Sequence, residues 1–200
     1  MQIAIDGHMA SGKGTIAKAL SEKLGFLYLD TGAIYRKLAL FSLTLDNPEF
    51  IVEHLDDIDI ENIKGDIRSL ECGQAASKIA VLKEVRDFVT SYSQKYAQGK
   101  DIIMDGRDIA TVIMPNARFK FFITAHVDVR AERRFLELFE AGNGDTFEEV
   151  KKAIEERDKR DSEREIAPLM QAEDSIIVDN TNMNREQTLD FILNIINEVI

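Results

Sequence analysis

Cysteine, tryptophan, long apolar runs and positive charge are what this 200-residue chain has little of, and each shortage excludes something. The one cysteine, Cys72, cannot close an internal disulfide, and no His/Cys cluster has the spacing of a zinc site. Cys72 reads as a small, half-buried residue on a helix. No apolar run approaches the roughly 18 residues of a membrane span, and residues 1–6 read as a strand rather than a charged-then-apolar leader. A cytoplasmic protein with no membrane partner is expected. Lys and Arg number 25 against 36 Asp and Glu, a formal net charge of −11. That balance argues against a nucleic-acid partner, because a polyanion would be repelled at long range. Any anionic ligand must be held by a local concentration of arginine.

Against this background one stretch stands out, Gly7-His8-Met9-Ala10-Ser11-Gly12-Lys13-Gly14-Thr15. It follows the apolar run Ile3-Ala4-Ile5 and precedes Ile16-Ala17-Lys18-Ala19-Leu20, the strand–loop–helix context of a phosphate-binding loop. Glycines let the backbone approach an oxygen-rich ligand, and the following helix aims its positive end at the same point. Lys13 adds a mobile full charge. The general pattern has Ser or Thr directly after the lysine; here Gly14 intervenes and the hydroxyl arrives at Thr15, the Lys-Gly-Thr ending of nucleoside monophosphate kinases.

The rest of the chain alternates strands and helices. A helix over 13–24 ends at Gly25, a short buried strand follows at 26–29, and Asp30-Thr31-Gly32 opens a helix carrying Tyr35 and Arg36. Asp46-Asn47-Pro48 breaks that helix. Residues 49–64 read as a short helix and a surface connection. Two helices from about Asp66 meet near Lys83, with Ala75, Ala76, Ile79, Val81, Leu82, Val85 and Val89 as the apolar stripe. Strands are expected at 101–105, 119–123 and 176–178, helices at about 128–141 and 146–163, and a last helix over 184–199 with Leu189, Ile192, Leu193, Ile196 and Val199 on one face. Five strands alternating with helices imply a three-layer α/β fold with a five-stranded parallel sheet, in one folding unit of residues 1–200 and as a monomer.

Further motifs lie at strand ends and on helices: Leu29-Asp30-Thr31-Gly32-Ala33-Ile34-Tyr35-Arg36, Ala75-Ala76-Ser77, Val85-Arg86, Asp105-Gly106-Arg107-Asp108, Glu156-Arg157-Asp158 with Arg160, Asp161 and Arg164, and Ala167-Pro168-Leu169. With the glycine-rich loop, these make the chain resemble the cytidylate kinases of bacteria over nearly its whole length. The resemblance implies the P-loop nucleoside monophosphate kinase fold, with a mobile lid at about 130–164 and acceptor-binding helices at about 31–98. It implies transfer of the terminal phosphoryl group of ATP to CMP or dCMP with Mg2+. Lys13 and the loop amides of residues 7–15 would hold the donor phosphates, and Arg130 and Arg134 would flank the donor's adenine and phosphates. Arg36 and Arg107 would grip the acceptor phosphate. Asp108, Arg86 and Ser77 would choose cytosine, with Asp30 and Thr31 also on the acceptor side. Arg157 and Asp161 would reach the ribose or the transferred phosphate, Arg160 would act as an internal arginine finger, and Arg164 would lie near the acceptor. Asp105, with Thr15, would orient magnesium or its waters; Asp30 could share that duty, hold an arginine, or cap its helix.

Without the resemblance, Ser77 and Arg86 read as ordinary helix-surface residues, and the charge run at 157–164 as a solvated helix face. In place of the family's usual proline and third loop glycine stand His8, read as a loop surface residue, and Ala10. Residues 41–66 are shorter than the matching region of the long bacterial enzymes, which places the chain with the short type. The alternatives are a kinase for UMP or AMP and a non-catalytic nucleotide sensor. A GTP switch would need an Asn-Lys-x-Asp motif, and no Asn-Lys pair occurs.

Overall fold

The computed structural model describes residues 1–45, 47–67, 69–142 and 144–199. Asp46, expected at a helix break, and Asn143, expected in a turn of the lid, lie outside the described residues. The chain groups into two compact units, residues 1–28 with 100–200, and residues 29–99.

In the first unit, β1 (Gln2–Gly7) runs into α1 (Lys13–Leu24), which stops at Gly25 with φ 68°. That left-handed conformation is open to glycine without penalty. β2 (Leu27–Asp30) begins in this unit, and Leu27 N–H bonds to Asp101 O at 3.0 Å. β3 (Ile102–Gly106), β4 (Phe119–Thr124) and β5 (Ile176–Asp179) complete a five-stranded sheet of order β2-β3-β1-β4-β5. β1 pairs in parallel with β3 and β4, and β4 with β5. The central strands Ile3-Ala4-Ile5 and Ile102-Ile103-Met104 are fully buried, as apolar runs covered on both faces should be. β2 is an edge strand with Leu27 exposed, so the expectation of a buried strand there is corrected. The other three residues of β2 are partly covered. α5 (Val127–Glu140) and α6 (Phe147–Glu163) pack through Ala131, Val150 and Ile154, with Met9 and Ala10 against the same cluster. A capping box at Thr146 and Glu149 starts α6. α7 (Arg185–Val199) docks Leu189, Ile192 and Ile196 onto the sheet core, while Val199, expected on that face, is exposed.

The second unit has its own core. α2 (Thr31–Ser42), α3 (Leu70–Ile79) and α4 (Lys83–Ala97) enclose Ile34, Leu38, Ala75, Ile79, Val85 and Val89. The segment read as a short helix and a surface connection holds a 3-10 helix, Pro48–Asp57, and a 3-10 turn, Ile60–Asn62; it is not merely a surface segment, because Ile51, Leu55 and Ile60 are buried in this cluster. These apolar side chains stand among acidic residues, which left the stretch only weakly patterned. Val81, expected in the apolar stripe, is exposed in the turn between α3 and α4. Cys72 is fully buried rather than half-buried, and its Sγ–H donates to Arg36 O at 3.1 Å.

Candidate functional site

The first unit gathers its polar residues at the C-terminal ends of β1, β3 and β4, where parallel sheets present ligand sites. Gly7, paired with Ile123, turns the chain out of β1; a Cβ there would lie 2.0 Å from Ile123 O. The loop then passes through Ala10 at φ 58° and Gly12 at φ 82°. Ala10, where the resemblance led us to expect glycine, thus adopts a left-handed backbone, and α1 begins at Lys13 with its first N–H groups unmatched within the helix. Lys13 Nζ reaches back to His8 O at 3.5 Å. Thr15 is exposed on the first turn of α1. Asp105, at the end of β3, is buried and accepts a hydrogen bond from the Tyr28 hydroxyl at 2.7 Å. A Cβ on Gly14 would lie 3.4 Å from Asp105 Oδ2, so this carboxylate lies beside the start of α1.

His8 is not a loop surface residue. Its Nδ1 lies 3.1 Å from Thr124 Oγ1, and its ring meets Phe122 edge-on at 5.4 Å. Burial lowers its pKa; Arg130, Arg107 and Lys13 push the same way, and Asp158 opposes them. The neutral ring is the form that suits this cationic surrounding.

Two anchors hold the loop from outside. Asp158, on α6, accepts the Met9 N–H at 3.2 Å and pairs with Arg130 Nη1 at 2.5 Å. Arg130, on α5 and buried, also donates to Met9 O at 3.0 Å and Ala125 O at 2.9 Å. On the other side, the buried Asn180 donates to Ser11 O at 2.9 Å, while Arg133 donates to both Asn180 Oδ1 and Asn180 O. Sequence reading passed over Asn180 and Arg133, and it quoted Asp158 in a motif without giving it a role. Asp158 was hidden inside an alternating charge run.

Asp6 was missed as well. It is buried at the end of β1, and its two oxygens accept the N–H groups of Ile109 and Ala110 at 2.9 and 2.8 Å. These belong to a π-helical turn, Ile109–Ile113, that Asp108 opens. Burial raises the Asp6 pKa to about 6, even though the two N–H bonds pull it down. An aspartate inside Ile3-Ala4-Ile5-Asp6 was the available signal.

After β3, Arg107 Nε pairs with Asp161 Oδ2 at 2.8 Å, and Arg164 lies 3.8 Å from both Asp108 and Asp161. Burial alone would raise the Asp161 pKa, but the guanidinium groups of Arg107, Arg157 and Arg164 outweigh it and hold the carboxyl below its usual range. Arg164 also donates to Ala167 O at 2.6 Å. The charge run is thus not simply a solvated face: Arg157, Asp161 and Arg164 turn inward, while Arg160 is exposed with Nε on Glu156 O. Arg134, partly exposed, pairs with Glu137.

The second unit holds the remaining candidates. Asp30 caps α2 by accepting the Ala33 N–H at 2.9 Å and pairs with Arg36 at 2.9 Å, so one carboxylate both starts the helix and holds the arginine. Thr31 is buried and Ser77 half-buried. Arg86 is no surface residue: it is 3% exposed, donates to Ala80 O at 3.1 Å and lies over the Tyr35 ring at 5.8 Å.

A family model described as "Cytidylate kinase" matches residues 3–198. A cytidylate kinase of Alkaliphilus oremlandii is 42% identical, with 100% of this chain and 99% of that protein covered. One of Thermotoga maritima is 42% identical over 98% and 97%, and one of Flavobacterium johnsoniae 38% identical over 99% and 96%. Among solved structures, a shikimate kinase from Bacteroides thetaiotaomicron superposes with a TM-score of 0.56 at 15% identity, covering 98% of each chain. An uncharacterised protein from Eubacterium ventriosum gives 0.61, also at 15% and 98% of each. Such distant likenesses speak to the fold, a five-stranded parallel α/β sheet behind a glycine-rich loop. Matched from end to end by the family model and by relatives at about two-fifths identity, the chain belongs to the cytidylate kinase family.

Proposed function

We propose that this protein transfers the terminal phosphoryl group of ATP to CMP and dCMP, giving CDP and dCDP. The observation that carries this reading is a glycine-rich loop closed by Lys13, with arginines 107, 157 and 164 gathered around Asp161 in the same unit and Arg107 within electrostatic reach of His8 in the loop. Phosphoryl transfer asks a protein chiefly to position two anions and offset their charge, and backbone dipoles with guanidinium forks are suited to that. Lys13 and the amides of residues 7–15 take the donor's β and γ phosphates, and Arg134 lies near the donor.

On the acceptor side, Arg107, Asp108, Arg157, Asp161 and Arg164 serve CMP within the first unit. In the second unit, Asp30, Thr31, Arg36, Ser77 and Arg86 are the CMP-binding candidates that the family likeness supports. Support for Arg36 comes from its Nε, a buried donor that has no acceptor among the described residues. Arg86 and Asp108 are both buried, which raises the cost of mispairing a base. Cytosine offers a donor at N4 and an acceptor at N3, and uracil reverses both. Each wrong buried contact costs about 1–3 kcal/mol, a factor of roughly 5 to 150. Arg160, exposed here, is the candidate arginine finger, and residues 130–164 are the candidate lid.

Asp105 and Thr15 offer oxygen donors beside the loop, and this small oxygen set fits magnesium, which keeps several of its waters. Bound there with ATP, the ion would neutralise charge developing on the phosphate oxygens.

An ADP-release assay with CMP, dCMP, UMP and AMP side by side tests the proposal. CMP and dCMP are expected to lead. Preference for UMP or AMP would move the protein to another acceptor, and ATP binding without turnover on any acceptor would make it a sensor.

A further inference from the structure

The donor loop carries a residue poorly suited to its own backbone. Ala10 sits at φ 58°, a conformation that a Cβ disfavours and that few non-glycine residues adopt. The loop holds that shape in a structure where the peptides on either side of Ala10 are tied to other elements. Before it, both polar groups of Met9 are taken: its N–H by Asp158 Oδ1 and its C=O by Arg130 Nη1. After it, the C=O of Ser11 is taken by Asn180 Nδ2. Both ties lead to one helix. Arg130 and Arg133 are three residues apart on α5, Arg130 closing on Asp158 and Arg133 gripping Asn180 through its side-chain and main-chain oxygens. Met9 and Ala10 also pack against Ala131, Val150 and Ile154 of α5 and α6.

We propose that Asp158, with Arg130 on one side and the Arg133–Asn180 pair on the other, is a positioning residue that braces the donor loop. The brace fixes the left-handed turn at Ala10 that the loop would otherwise hold only weakly. This assigns Arg130 to the protein's own loop: its Nε and Nη1 are spent on Ala125 O, Met9 O and Asp158. The proposal rests on reading residues 7–15 as the ATP site. It predicts a specific dependence, because glycine reaches the same backbone conformation without help. A loop carrying Gly at position 10 has little need of the brace, whereas a loop carrying Ala depends on it.

Three variants, Asp158→Asn, Ala10→Gly and their combination, test this by calorimetric titration with ATP in the absence of acceptor and by the KM for CMP. Asp158→Asn keeps the shape but loses the charge-assisted bonds; ATP binding is expected to weaken about tenfold, with the KM for CMP within about twofold of the parent. Ala10→Gly in the parent gives the reference for the cycle, and in the Asp158→Asn background it is expected to recover most of the loss. A residue that merely stabilised the fold would lower the melting temperature without that rescue. Should Asp158→Asn fail to fold by circular dichroism, Asn180→Ser replaces it in the same cycle, with the same expected rescue. ATP affinity unchanged in the single variant, or Ala10→Gly acting by the same factor in both backgrounds, overturns the brace. Failure of the parent itself to bind ATP would overturn the donor-site reading, and the brace with it.

Discussion

Replacing Asp6 by asparagine should alter how stability depends on pH. The folded protein holds this carboxyl near pKa 6 against an ordinary 3.8, because burial penalises the charge more than two backbone N–H bonds relieve it. A raised pKa means that the folded state binds the proton more tightly than the unfolded one between pH 3.8 and 6. Asp6 therefore adds stability at low pH and loses it as pH rises through about 6. The full difference is about 3 kcal/mol, of which roughly 1.3 kcal/mol falls between pH 5 and 7. Asp6→Asn has no proton to exchange. Urea unfolding at pH 5, 6 and 7 should show the parent losing about 1.3 kcal/mol relative to the variant across that range. Other carboxylates titrate in both proteins and drop out of the difference. Parallel curves for the two proteins would refute the reasoning. The charge is retained at this cost, we argue, because both oxygens are needed to hold the turn that presents Asp108. Asparagine supplies one acceptor and sets its amide against the second N–H, so the KM for CMP should rise in the variant at every pH.

Gly7→Ala should cost about 1–3 kcal/mol or more, read as a lowered urea midpoint, because the new Cβ would lie 2.0 Å from the main-chain oxygen of Ile123 and must part β1 from β4. Lys13→Ala should lower turnover by about 100-fold or more with an unchanged circular dichroism spectrum, since one preorganised cation at developing charge is worth that much. Near-parental turnover would mean the loop serves another purpose. Cys72 is fully buried, and burial raises its thiol pKa, so a thiol reagent at neutral pH should label it only at the rate at which residues 29–99 open. Rapid labelling under native conditions would contradict that packing.

Where hydrophobic period and punctuation were strong, the sequence told its structure well. Helix α1 with its stop at Gly25 and strands β3 to β5 were legible within a residue or two, and so was the meeting of two helices near Lys83, although α3 starts four residues after the expected Asp66. The stretch 48–62 was legible as a short helix and a connection but not as part of a core, because the apolar residues Ile51, Leu55 and Ile60 stand among acidic ones that weaken the pattern. The π-helical turn after Asp108 was invisible for a related reason: its cause is Asp6, about a hundred residues away in sequence. Of the site, the loop and the arginines could be named from motifs. What could not be named were the residues that hold them. Asp158 and Asn180 act through single hydrogen bonds to loop peptides, and a charge run or an Asp-Asn-Thr-Asn turn gives no hint of such a partner.

The segment between α2 and α3 answers to its own cluster. Ile51, Leu55 and Ile60 pack with side chains of α2, α3 and α4, and among the described residues the sheet's cluster draws no member from it. Length changes in that stretch are therefore absorbed by local repacking, and the phosphate loop need not feel them.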